Sequence, residues 1–319
     1  MGITGSKMLA HLDRITSTEK KPITADVFLT NFCNNACPYC TYKRWEFDSD
    51  AKYITFYEFQ KIAERLVELG IQGIILTGGG EPTVNPDFDR ITSWLESEKI
   101  HYGINTNFNK LRYCSPDYLK ISLDGYDEDS YAKARGVRAY GKVLGNIEQY
   151  LAWKEKNNVK TNVGIQFVAL HPEDVALFYE ANKHLNVDYI VIRPIESTCG
   201  THYSTDDAKA IAKDTVKTIE ALRAQDSRVV ANYKWGMLDV HEDRCTANWT
   251  QLAVNEFGQV MYCCHKPFQI IGSVFDWDIL EKKAQAPTDM HLCDIPCRLT
   301  GPNRFMASVE QYQADSYFI

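Results

Sequence analysis

The chain has 319 residues, 45% of them hydrophobic, enough for one large domain with a core or for a domain with a small annex. Its 35 Lys and Arg against 42 Asp and Glu give a formal charge of -7, and without a basic run nucleic acid is not an expected partner. The first residues lack the apolar core of a secretory signal, and no later stretch reaches about 18 consecutive apolar residues, so a cytoplasmic protein with no membrane contact is expected.

Residues 1–23 read as a lead, followed by a strand at 24–30 (TADVFLT) that stops at a cysteine loop. Thr55 and Glu58 form a capping signal before the helical stripe Phe59, Ile62, Ala63, Leu66, Leu69, which Gly70 ends. The β-branched run IQGIILT at 71–77 then leads into GGGEP. Further on, Asn85 and Pro86 open a helix, and strands follow at 101–107 and through YLKISLDG to Gly125. A helix at 139–156, a strand at 161–170, a helix opening at Pro172 and the strand YIVIRP at 189–194 complete the rhythm.

Six strand-then-helix units with short connections predict an α/β fold, a partial (β/α)6 TIM-like barrel, because parallel neighbours need crossovers of one hand. Ligands are then expected at the C-terminal ends of its strands. After a helix from Thr205 the texture changes to short strands, turns and cysteines, with a hairpin turning at Phe257 and Gly258. The expected division is a lead at 1–23, a barrel at 24–225, a small cysteine-bearing domain at 226–304 and a tail at 305–319.

Ten cysteines stand at positions 33, 37, 40, 114, 199, 245, 263, 264, 293 and 297. In a long chain without an export signal, clustered thiols point to metal over disulfides. Cys33, Cys37 and Cys40 have the spacing C-x3-C-x2-C on the loop after the first strand. Three thiolates suit three irons of a four-iron cubane and leave the fourth open; zinc, which would want a fourth ligand nearby, and unligated cysteines stay as alternatives.

Phe32 to Cys40, with aromatic Tyr39 just before the last cysteine, resembles the signature loop of the radical S-adenosylmethionine superfamily. Gly78, Gly79, Gly80, Glu81 and Pro82 resemble that family's glycine-rich motif for the methionyl amino group. Glycines there let backbone approach a ligand, and Glu81 supplies a negative group if it faces the ammonium; a plain tight turn is the alternative. Ser122 and Asp124 within ISLDG, with Arg135-Gly136, resemble the fourth-strand region of peptide-modifying and sulfatase-maturing relatives, where such residues line the cofactor pocket. Asn105 and Asn107 are candidates for ribose or methionine, and Gln166 and Arg193 for the methionyl carboxylate or the substrate, against turn capping and edge packing.

Cys245, then Gly258 and Cys263 in the pattern C-x12-G-x4-C, resemble the start of the SPASM and twitch extensions behind such barrels. With five cysteines in this region the shorter twitch form fits better, and Cys245, Cys263, Cys293 and Cys297 are the expected ligands of one auxiliary [4Fe–4S] cluster, with zinc and an exchange of Cys297 for Cys264 left open. Cys199 is a candidate hydrogen donor, against the common role of a free cysteine as a small buried hydrophobe.

The resemblance implies reductive cleavage of S-adenosylmethionine at the front [4Fe–4S] cluster, an external one-electron donor such as flavodoxin or ferredoxin, and hydrogen abstraction from substrate. Net oxidation through the auxiliary cluster is preferred to epimerisation. With only about 23 residues before the first strand, a sugar, aminocyclitol or other small metabolite is expected ahead of a ribosomal peptide. A non-catalytic metal scaffold is the third reading.

Overall fold

The structure, a computed structural model, describes residues 6–40, 42, 51–196, 205–240, 242–290, 293 and 297–312. Two short helices, α1 (Ser6–Leu9) and α2 (Leu12–Thr16), lead into β1 (Thr24–Phe28). There follow α3 (Phe56–Glu68), β2 (Gly73–Thr77), α4 (Phe88–Ser97), β3 (Tyr102–Thr106), β4 (Tyr118–Ser122), α5 (Glu128–Arg135) and α6 (Tyr140–Lys156). Then come β5 (Asn162–Ala169), α7 (Pro172–Asn182), β6 (Tyr189–Pro194) and α8 (Thr205–Gln225). Strands β1 to β6 pair in chain order, each parallel to the next, and form a partial (β/α)6 barrel.

The strand–helix rhythm departs from expectation in two places. Between β3 and β4 the chain carries no helix: Phe108 takes a left-handed φ of 57°, and Asn107 and Asn109 spend their side chains on nearby groups. Between β4 and β5 there are two helices, because Asp127 and Ser130 form a capping box that starts α5 and Gly136, at φ 71°, ends it. The predicted capping box of Thr55 and Glu58 is present at α3.

Past the barrel, β7 (Val229–Ala231) joins β6 in parallel. Strand β8 (Gln251–Val254) pairs parallel with β1, and β9 (Gln259–Met261) and β10 (Ile270–Ser273) continue antiparallel. The result is one ten-stranded sheet in the order β10-β9-β8-β1-β2-β3-β4-β5-β6-β7. The β8–β9 turn uses Gly258 at φ 74° and the Asn255 side chain, which accepts from the backbone N–H of Phe257 and Gln259. Two helices follow, α9 (Ile279–Gln285) and α10 (Thr300–Tyr312). Among the described residues no helix is long and apolar enough to cross a membrane.

Strands β2, β4 and β6 alternate buried and half-buried residues, the period-2 signature of a sheet with helices outside and a concave interior. Outward residues such as Ile74, Leu76, Leu119 and Ile121 pack with Phe59, Ile62 and Leu66 of α3 and Phe88 and Ile91 of α4 in one core. Inward, Tyr118 and Tyr189 lie over Gly103 and Gly164, where a Cβ would stand about 2 Å from each ring. Glycine is therefore required at both positions, and the two tyrosines plug the lower barrel. The polar inward residues above them form the site.

Candidate active site

The loop after β1 is held from three sides. Ala36 N–H donates to the Arg135 carbonyl (2.9 Å), Cys40 N–H to the Cys37 carbonyl (3.2 Å), and Asn35 N–H to Cys33 Sγ (3.4 Å). Asn107 Nδ2 donates to Asn34 Oδ1 (2.7 Å) and reaches Cys33 Sγ at 3.8 Å, while Asn109 Nδ2 donates to Asn35 Oδ1 (2.5 Å). Gly136 passes so close to the loop that a Cβ would lie 2.3 Å from the Ala36 carbonyl oxygen. Cys33, Cys37 and Cys40 thus share one rigid loop at the C-terminal end of β1.

Arg135, on the last turn of α5, bridges this loop to the barrel. Its Nη1 donates to Cys37 Sγ (3.3 Å), its Nη2 to the Ser122 carbonyl (2.8 Å), and its Nε lies 3.1 Å from Asp124 Oδ2. Asp124 also accepts from Tyr39 Oη (2.9 Å) and the Val168 N–H (2.8 Å). Burial pushes the Cys33 thiol up to about 11, helped by Glu81, Cys37 and Cys40; burial also raises Cys37, against the pull of Arg135. Such thiols keep their protons unless a cationic metal group draws them off.

The glycine motif follows β2. Gly80 N–H donates to the Thr30 carbonyl and Glu81 N–H to that of Phe32 (3.0 and 2.8 Å). A Cβ on Gly80 would sit 1.9 Å from the Phe32 carbonyl oxygen, so only glycine allows the motif to lie against the cysteine loop. Pro82 opens a short 3₁₀ turn, Pro82–Val84. Glu81 differs from the expected ligand-facing group: it is 3% exposed and accepts four internal hydrogen bonds. Oε1 takes Thr83 N–H (3.1 Å), Thr83 Oγ1 (2.7 Å) and Thr106 Oγ1 (2.5 Å), and Oε2 takes Asn107 N–H (2.7 Å). Burial raises its carboxyl pKa while these donors oppose the rise. Glu81 therefore ties the glycine motif to the end of β3 and positions Asn107.

Cys33, Cys37, Cys40 and Gly79 line a cavity of about 590 Å³ together with Phe28, Tyr42 and Met261. Asn105, Ser122, Gln166 and Arg193 share the inward faces of β3 to β6, with Asn105 beside Lys120 and Ser122 beside Gln166 in register. The interior also holds charges that the motif reading did not single out. Glu196 accepts from Arg193 Nη1 (2.9 Å) and Lys234 Nζ and lies 3.6 Å from His265 Nδ1. These cations hold its carboxyl well below the usual range, against burial. Arg298 Nη2 donates to Asp26 Oδ2 (2.6 Å) and to Gln251 Oε1. The inward alternation Tyr118, Lys120, Ser122 was the available signal for Lys120.

The rear cysteines come together across the C-terminal region. Burial, then Cys297, Cys263 and Cys293, push the Cys245 thiol up to about 12. Leu299 N–H donates to Cys297 Sγ (3.3 Å), and Asn303 Nδ2 to Cys245 Sγ (3.9 Å). Cys264 packs with Phe28, Ala253 and Met261, and its carbonyl accepts from Tyr42 Oη (2.6 Å). Cys114 is buried in the β3–β4 loop, its carbonyl bonded to Tyr150 Oη. Cys199 lies outside the described residues. Among the described residues no three His, Cys, Asp or Glu side chains close to the spacing of a single bound ion.

Residues 27–162 match the profile of the Radical SAM superfamily. The "Probable GTP 3',8-cyclase" of Pyrococcus horikoshii is 29% identical over 137 residues, 40% of this chain and 43% of that protein. The GTP 3',8-cyclase of Staphylococcus aureus is 28% identical over 211 residues, 60% of this chain and 59% of that one. The chain thus spans about half the length of the curated relatives it matches. Two solved structures share the fold. SuiB of Streptococcus suis bound to its precursor peptide SuiA has a TM-score of 0.62 at 17% identity, over 88% of this chain and 68% of that one. The enzyme anSMEcpe with bound AdoMet has a TM-score of 0.62 at 16% identity, over 84% and 82%.

Proposed function

With residues 27–162 forming a radical SAM domain, we propose that this enzyme abstracts hydrogen from a small biosynthetic metabolite held inside the barrel, with net oxidation of that substrate. One observation carries the reading. The cysteine trio, Gly79 and the β8–β9 hairpin wall a single cavity of about 590 Å³, the size of a small-molecule site.

The residues fit the cofactors the family uses. Three thiols on one loop, a guanidinium on one of them and a glycine cradle beside them are a donor set suited to a [4Fe–4S] cluster at Cys33, Cys37 and Cys40. Bound there with S-adenosylmethionine, that cluster supplies a 5'-deoxyadenosyl radical. The chain's own residues do the positioning. Arg135 and Tyr39 lock the cysteine loop through Asp124, Glu81 fixes Asn107 against Asn34 and Cys33 of that loop, and the barrel wall orients substrate and limits water. Cys245, Cys263, Cys293 and Cys297 would hold an auxiliary cluster, and an external flavodoxin- or ferredoxin-like donor would supply electrons.

A second reading, modification of a peptide, draws on the free edge of β10. Phe257, Phe268 and Ile270 border the same cavity and are exposed, which suits an extended chain. Anaerobic reconstitution followed by dithionite and S-adenosylmethionine tests the chemistry. About eight irons per chain and release of 5'-deoxyadenosine are expected, with cleavage lost in Cys37→Ala. A fully loaded protein that releases none in the presence of metabolite and peptide mixtures would sink the proposal.

A further inference from the structure

The inward face of the barrel carries more positive charge than its own carboxylates answer. Lys120 and Arg193 stand on its strands, Lys234 and Arg298 join them from the segments after β7 and after Cys297, and two carboxylates pair with these cations, Glu196 with Lys234 and Arg193, and Asp26 with Arg298. Lys120 is left over. Its position in β4, beside Asn105 and Gly164 in register, points its side chain inward, and among the described residues its ammonium has no hydrogen-bond or ion-pair partner.

Two more donors of these cations are unmet. Nε of Arg193 and Nε of Arg298 are buried without an acceptor, although each guanidinium is anchored through another nitrogen. An anchored guanidinium that keeps a buried N–H unpaired is poised for an acceptor the chain does not provide. The side-chain oxygen of Asn105 is likewise buried without a donor. Burial and the fields of Arg193, Arg298 and Lys234, opposed by that of Asp26, push Lys120 down to about 8, so these groups lie within electrostatic reach of one another.

We propose that Lys120 and the Nε–H groups of Arg193 and Arg298 form an oxyanion subsite that holds a carboxylate or phosphate of the substrate inside the barrel. The proposal rests on the reading that substrate is held inside the barrel, and it narrows the class to anionic small molecules. An anion there offsets the surplus charge and satisfies the orphan donors in a low-dielectric setting, where charge-assisted hydrogen bonds are strong.

Calorimetric titration of the full reconstituted chain with pyrophosphate and with malonate, at matched ionic strength, tests it without any turnover. Saturable binding of one or both is expected, and whichever binds tighter identifies phosphate or carboxylate as the group recognised. Lys120→Met and Arg193→Gln should each weaken that binding by about tenfold or more, whereas Lys120→Arg should stay within about threefold. S-Adenosylmethionine affinity should be unchanged in Lys120→Met. Unaltered iron content and circular dichroism establish that the variants are folded. No saturable anion binding by the wild-type chain, or equal binding by wild type and Lys120→Met, overturns the subsite. A loss of S-adenosylmethionine affinity in Lys120→Met also overturns it, by giving these cations to the methionyl carboxylate. Because 5'-deoxyadenosine is not read, failure here is separable from failure of the radical reading.

Discussion

Replacing Glu81 by alanine separates a ligand-facing carboxylate from a keystone. In the structure its two oxygens accept from the backbone N–H groups of Thr83 and Asn107 and from the hydroxyls of Thr83 and Thr106, and the residue is 3% exposed. The hydroxyls can rotate to other acceptors, but the two backbone donors cannot. Leaving each unpaired costs about 1–3 kcal/mol, so Glu81→Ala should lose roughly 2–6 kcal/mol of stability. At this chain length that is a fall in Tm of about 2 °C per kcal/mol. Glu81→Gln should lose less, because one oxygen remains, yet its amide must point a donor at a donor. The assay is thermal and urea unfolding of the cluster-free chain, in which no S-adenosylmethionine contributes. Destabilisation below about 0.5 kcal/mol, with a fall only in S-adenosylmethionine affinity, would refute the keystone role and return Glu81 to the ligand's ammonium.

Gly136→Ala combines a positive φ with a Cβ 2.3 Å from the Ala36 carbonyl oxygen; it should lower iron loading of the front loop, measured by iron content, while leaving the helical circular dichroism in place. Lys120 is depressed from 10.5 to about 8, so its charge opposes folding fully below pH 8, and that cost disappears as pH rises toward 10.5. Lys120→Met should therefore stabilise the anion-free chain by on the order of 1–2 kcal/mol at pH 7, after allowing for its partial solvent access, and by nothing above about pH 10, in denaturant titrations at both pH values. Glu196 is depressed by Lys234, Arg193 and His265, so its contribution is present above about pH 4.5 and lost as pH falls further. Glu196→Gln should flatten stability over that acid range. Lys234→Met, which removes one of these cations but leaves Arg193 on the buried carboxylate, should cost about 1–3 kcal/mol at pH 7 by the same unfolding measurement.

SuiB is bound to a precursor peptide, and the sequence relatives are GTP 3',8-cyclases. The peptide reading draws on the exposed β10 edge and the small-molecule reading on the charged barrel wall. These are different residues of the chain, and an anion titration and a peptide titration address them independently.

Local chemistry was legible in the order of the residues. The C-x3-C-x2-C loop, GGGEP, the Thr55–Glu58 capping box, the turn at Gly258 and the six parallel strands all follow from turn residues and from periods of 2 and 3.6. Those signals span a few positions and need no knowledge of distant partners. The helix-free β3–β4 connection and α5 were harder, since short loops with Asn and Asp side chains choose between capping and turning by what they touch. Tertiary structure alone decided the rest. Arg135 reaches Cys37 across 98 positions and Glu81 reaches Asn107 across 26, and β8 lies beside β1 only because the chain returns to that edge. A lysine in a strand is ordinary in sequence. Lys120 becomes an unanswered charge only once β4 faces it into a barrel where Arg193 and Arg298 have already taken the available carboxylates, because pairing of buried charge is settled by neighbours in space.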